Sequence, residues 1–132
     1  TGLALHVELP EEGTIRTDRV KLVRICQNLL GNAVRYTKQG EVRFGGSLSD
    51  HELRITVGDT GIGIPEDALE RVFEPYYRDS TAQQVEPLGT GLGLANVKRF
   101  CELLHATVSV ESTLGVGTTF TVVVPRQARS SA

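Results

Sequence analysis

Apolar and polar residues alternate from Leu3 to Leu9, which predicts a strand that Pro10 stops. Thr14–Thr17 predicts a second short extended piece. Asp18 has the side chain of an N-cap, and the apolar spacing changes after it. Leu22, Ile25, Cys26, Leu29 and Ala33 recur at helical intervals, so a helix is expected to about Tyr36, with Gly40 ending the element. Glu41–Leu48 and Glu52–Val57 read as strands joined by a hairpin turn at Ser49-Asp50-His51. Pro65 suits the first position of a short helix over Glu66–Val72. Residues 74–91 show no period and carry two prolines, which predicts a long binding loop or lid. A second long helix is expected from about Leu92 to His105, with Leu94, Val97, Cys101 and Leu104 as its buried stripe. Ala106–Val110 and Thr118–Val124 predict final strands around a Gly115–Gly117 turn. The tail, Arg126–Ala132, is expected to be disordered. Hairpins with only three helices favour an α+β, two-layer sandwich: one mixed, mostly antiparallel sheet covered on one face by the helices.

Composition narrows the function classes. The chain has 132 residues, suited to one domain. Its net charge of −2 provides no basic field for a nucleic-acid backbone. No apolar run approaches the ~20 residues that span a bilayer, and the first residues do not form a signal peptide. Two cysteines, Cys26 and Cys101, make no disulfide framework, so a reduced, cytoplasmic setting is expected. Both fall on apolar helix faces and read as small core residues. Glycine is over-represented, with 14 residues.

Six of those 14 glycines lie in or beside two similar segments, Thr60-Gly61-Ile62-Gly63-Ile64 and Thr90-Gly91-Leu92-Gly93-Leu94. Their flanks differ and no third copy exists, so they are not a structural repeat. Glycine allows close approach of the backbone to a ligand. The second segment runs into a helix, placing free N–H groups and the positive end of a helix dipole at Gly91-Leu92-Gly93, a ready anion site. Neither segment is a Walker A loop or a full dinucleotide fingerprint, and either alone reads equally well as a tight turn. On the first long helix, Asn28, Asn32 and Tyr36 are four apart and Arg35 lies three beyond Asn32. An amide oxygen is a suitable hard ligand for Mg2+, a guanidinium can pair with phosphate, and a phenol ring can stack. A solvated helix edge would read the same way.

Together these segments resemble the catalytic, ATP-binding domain of bacterial sensor histidine kinases. Asn28-Leu29-Leu30-Gly31-Asn32-Ala33-Val34-Arg35-Tyr36-Thr37 resembles the N box, and Asp59-Thr60-Gly61-Ile62-Gly63-Ile64 the G1 box. Phe73-Glu74-Pro75-Tyr76-Tyr77-Arg78 resembles the F box, and Gly89-Thr90-Gly91-Leu92-Gly93-Leu94 the G2 box. Order and spacing match from about Leu3 to Pro125. The resemblance implies a Bergerat ATP-binding fold, shared with gyrase B and MutL, over residues 1–125. It implies that Asp59 accepts from the adenine amino group, that Gly61, Gly63 and Ile64 line the base pocket, and that Tyr36 packs on adenine. Asn32 would coordinate Mg2+, with Asn28 supporting the triphosphate site. Arg35 and Arg78 would meet phosphates, while Gly89, Thr90, Gly91, Leu92, Gly93 and Leu94 would shape the phosphate cradle. Residues 79–88 would form the lid.

In the ATPase members a Glu one turn before the Mg2+-binding Asn is the general base for water. Here that place is Asn28, and an amide does not take a proton at neutral pH. This favours a kinase over an ATP-hydrolysing clamp; a nucleotide-responsive regulatory domain is the other alternative. His51-Glu52-Leu53-Arg54 spells the core of the family's phosphoacceptor H box, but it falls at a predicted hairpin after the N box. His6 and His105 have no acceptor context either. The phosphoacceptor histidine is therefore expected on a dimerisation domain before Thr1, with a response regulator as the later partner and any membrane anchor elsewhere in the protein. Two departures stand out: Leu104-His105-Ala106 where His-Gly-Gly is usual, and Glu74-Pro75-Tyr76 at the lid entrance.

Overall fold

The computed structural model describes residues 3–8, 18–37, 39–75 and 93–125. Five strands form one sheet: β1 (Leu3–Glu8), β2 (Gly40–Leu48), β3 (Glu52–Asp59), β4 (Thr107–Thr113) and β5 (Gly117–Pro125). Their order across the sheet is β1-β2-β3-β5-β4, with β1 parallel to β2 and the other pairs antiparallel. Among the described residues two α-helices, α1 (Arg19–Arg35) and α2 (Gly93–Leu103), pack on one face. The expected mixed, mostly antiparallel two-layer sandwich is thus the observed architecture.

Asp18 caps α1: its side chain accepts from the backbone N–H of Lys21 at 3.2 Å. Ile25, Leu29 and Ala33 are buried along that helix, and Val97 and Cys101 along α2. They meet Val42, Ile55, Val57, Phe120, Val122 and Val124 from the inner face of the sheet. Alternation decides which strand residues take part, as in β5, where Thr118, Phe120, Val122 and Val124 point inward. Cys101 is buried and Cys26 half-buried; both thiols are free. Burial raises both, Cys101 to about 11, which suits inert core residues.

The β2–β3 hairpin turns where expected. Ser49 N donates to Glu52 O at 2.9 Å, and Ser49 Oγ accepts from the backbone N–H groups of His51 and Glu52. His51 is exposed at that turn.

Three expectations need correction, the first being the end of β4, which runs to Thr113 and not to Val110. The short helix over Glu66–Val72 is a 3-10 turn confined to Glu66–Ala68, followed by further tight turns. Its bonds span three residues, including Ala68 N to Pro65 O and Leu69 N to Glu66 O. Pro65 sits at the cap, where it has no side-chain acceptor to start a longer helix. The strand after the hairpin also continues two residues past Val57 and ends at Asp59. The extended piece at Thr14–Thr17, residues 76–92 and the tail lie outside the described residues. Among those described, no helix is long and apolar enough to cross a membrane.

Candidate functional site

Asp59, the last residue of β3, shares the helix-covered face of the sheet with its neighbours. Register places Val42, Asp59, Thr118 and Ser112 in one row across four strands. Toward the middle of the sheet the next row is apolar, with Phe44, Val57, Phe120 and Val110. The polar row therefore marks the end of the core, where the loop after β3 begins.

That loop is held from three sides. Ile62 N donates to Tyr36 O, just past the end of α1, at 3.2 Å. Gly115 N donates to Ile62 O at 2.7 Å, and Ile64 N donates to Ser112 Oγ at 2.7 Å, both from the β4–β5 end. Thr60 N donates to Glu41 O at 3.1 Å, while Thr60 Oγ1 accepts from Glu41 N at 3.0 Å. Ser112 Oγ also lies 2.9 Å from Gly117 O and 2.8 Å from Thr118 Oγ1.

The glycines here answer to closeness. A Cβ on Gly61 would collide with Tyr36 O and fall 2.7 Å from Thr37 Oγ1 and 3.0 Å from Asp59 Oδ1. Gly63 has φ +76°, and its Cβ would collide with Thr113 O and lie 2.8 Å from Leu114 Cα.

The Asp59 carboxyl is half-buried, and Oδ1 accepts from Gly61 N at 2.8 Å. Burial raises its pKa. The backbone N–H groups of Gly61 and Thr118 oppose that rise, as does the Thr37 hydroxyl, which lies nearby but outside hydrogen-bonding geometry. The result is a carboxyl acceptor in partly dry surroundings.

Asn28 and Asn32 are half-buried, two turns and one turn back along α1 from Tyr36, and Arg35 is exposed in its last turn. Neither carboxamide is hydrogen-bonded among the described residues. Among those residues no group of three or more His, Cys, Asp or Glu could hold a metal ion. The amide oxygens of Asn28 and Asn32 are neutral, hard donors of the kind that would suit a Mg2+ held chiefly by phosphates and water.

The fold brings Tyr36, Asp59, Gly61, Gly63 and Ile64 together at one end of the sheet. Ile64, Phe73 and Leu94, from three separate segments, each pack against the same core. Phe73 meets Phe120 edge to face, with ring centroids 6.0 Å apart. Tyr36 reaches the loop through its carbonyl, and its side chain is half-buried. Gly93 begins α2 and is exposed. Arg78, Gly89, Thr90, Gly91 and Leu92 lie outside the described residues.

Sequence reasoning passed over Ser112, Thr118 and Thr37. Ser112 and Thr118 occupy inward positions of otherwise apolar alternations, a signal that was available in the strand pattern.

The architecture is an α+β sandwich with a carboxyl acceptor at a strand end and a glycine loop directly after it. The chain belongs to the histidine kinase-, DNA gyrase B-, and HSP90-like ATPase family, which it matches over residues 17–128. Within that family it is a catalytic, ATP-binding domain of the sensor histidine kinase type. It is 39% identical over 127 residues to the autoinducer 2 sensor kinase/phosphatase LuxQ of Vibrio vulnificus, covering 92% of this chain and 15% of that protein. The sensor histidine kinase RcsC of Escherichia coli is 34% identical over 124 residues, covering 94% of this chain and 13% of that protein. Full-length ShkA in complex with AMPPNP superposes with a TM-score of 0.80 at 32% identity, over 96% of this chain and 26% of that one. The chain therefore spans about a seventh of the length of these sequence relatives.

Proposed function

We propose that this chain binds Mg·ATP and passes its γ-phosphoryl group to a histidine on a separate dimerisation domain of the whole protein. The observation that carries this reading is the half-buried Asp59 carboxyl, backed by Gly61 N–H, in a loop that Ile62 N ties to Tyr36 O at the end of α1. A carboxylate there accepts from the exocyclic amino group of adenine. Gly61 and Gly63 let the loop approach the base, Ile64 lines its pocket, and Tyr36 packs on the ring. The triphosphate then runs along α1, where Asn28 supports it and Arg35 meets a phosphate. Arg78 and the segment from Gly89 to Leu94 complete the phosphate cradle. Asn32 would hold Mg2+ through its amide oxygen, and the bound ion would supply charge neutralisation on the phosphates.

Transfer is in line: the acceptor histidine nitrogen bonds to the γ-phosphorus as the bond to the ADP oxygen breaks. The protein's part is positioning and charge compensation. Asn28 supplies no base for water, which favours transfer over hydrolysis. We assign residues 1–125 to this domain, a cytoplasmic location to it, and a response regulator as the next phosphoryl acceptor.

The test supplies the dimerisation domain in trans with labelled ATP. Phosphohistidine is expected on that domain and is lost with Asn32→Ala. Intact nucleotide binding without transfer would point to a regulatory nucleotide sensor, and rapid ATP turnover by the chain alone to a hydrolytic clamp.

A further inference from the structure

Among the described residues, Thr37 carries the buried side-chain polar atom that the fold leaves without a partner. The residue is 3% exposed, and its Oγ1 makes no hydrogen bond. An orphaned buried hydroxyl disfavours folding, so its surroundings matter. Thr37 Oγ1 and Asp59 Oδ1 both lie within 3.0 Å of a single point, the position a Gly61 Cβ would take. A side chain at position 61 would fill that space. Thr118 Oγ1, the neighbouring hydroxyl in the sheet row, is already engaged with Ser112 at 2.8 Å. Thr37 is therefore a hydroxyl close to the Asp59 carboxyl with no hydrogen bond of its own.

We propose that Thr37 is a positioning residue for base recognition: its hydroxyl donates to the Asp59 carboxylate when that group turns to accept from the amino group of the base. Two donors on the inner side, Gly61 N–H and Thr37 O–H, then fix the carboxylate rotamer and leave its outer lone pairs for the nucleotide. The inference rests on the reading of Asp59 as the acceptor for the exocyclic amino group. It assigns Thr37 no contact with the nucleotide.

Thr37→Val tests this, because valine keeps the shape and removes only the hydroxyl. Thermal unfolding of the variant is expected at or above the wild-type midpoint, since an orphaned group is gone. Calorimetric affinity for ATP is expected to fall about tenfold, the effect of one lost hydrogen bond. Affinity for purine riboside triphosphate, which has the ring and the phosphates but no amino group, stays unchanged. Thr37→Ser restores ATP binding, and Thr37→Val adds nothing further in an Asp59→Asn background. Wild-type ATP affinity in Thr37→Val would overturn the proposal, as would an equal loss for both nucleotides, the mark of a merely structural role. If the wild-type chain itself binds the two nucleotides equally, the Asp59 assignment fails and takes this inference with it.

Discussion

The loop at Asp59 is held so closely that one methyl group should release it. Gly63 combines a left-handed backbone, φ +76°, with a Cβ position blocked by the main chain of Thr113 and Leu114. An alanine there costs about 1–2 kcal/mol for the backbone conformation alone. The collision is with backbone atoms, so no rotamer change relieves it. The loop must lift from the β4–β5 turn, which breaks Gly115 N to Ile62 O and Ile64 N to Ser112 Oγ, both 2.7 Å. At about 1 kcal/mol for each bond, Gly63→Ala destabilises the chain by roughly 3–4 kcal/mol. Gly31→Ala is the matched control. Gly31 lies inside α1, and its Cβ would make an ordinary 3.6 Å contact with the end of the Arg35 side chain. Alanine there raises stability by up to about 1 kcal/mol through helix propensity. Urea unfolding of both variants, with the slope m checked for constancy, measures the two effects. A Gly63→Ala variant within about 1 kcal/mol of wild type would refute the clamp, because both the strain and the two bonds would then have to be negligible.

Three further outcomes follow from the same geometry. Burial raises the Asp59 carboxyl above its unfolded value, so the folded state holds that proton more tightly; stability from this group is present below the unfolded pKa of 3.8 and is lost as pH rises through the folded one. Asp59→Asn, which keeps an acceptor for Gly61 N–H, should therefore raise the unfolding midpoint at pH 7 and flatten its pH dependence, while weakening ATP binding at least about tenfold. His105 holds φ +59° just after α2, where Ala106 N donates to Cys101 O at 2.8 Å. The turn usually made with glycine is kept here with a side chain, so His105→Gly should add about 0.5–1 kcal/mol in chemical denaturation. Phe73→Ala removes the edge-to-face contact with Phe120; because Phe73 is half-buried, a loss of about 2–3 kcal/mol is expected, below the usual range for a fully buried ring. An unchanged midpoint would separate that segment from the core.

Much of this protein was legible along the chain because the responsible physics is local. Leu22, Ile25, Leu29 and Ala33 fall on one side of a helix through its 3.6-residue turn, and Thr118, Phe120, Val122 and Val124 fall on one side of a strand through its two-residue repeat. Asp18 satisfies a backbone N–H three residues away. The four motifs, in order, single out Asn32, Asp59 and the glycines from the chain alone. Residues 66–72 differ from the expectation because Pro65 can equally precede a helix or a run of tight turns; in the turns that form, Ala68 and Val72 are buried.

Tertiary structure decided what lies opposite what. Periodicity assigns a residue to a face but does not say which element covers that face. The parallel pairing of β1 with β2, and β5 lying between β3 and β4, are such decisions. So is the meeting of Ile64 with Ser112, 48 residues apart, at a single hydrogen bond. Thr37 shows the difference most directly. By sequence it is the last letter of a helical motif; in the fold it is a buried hydroxyl beside Asp59 and Gly61, because α1 ends where the loop after β3 crosses it.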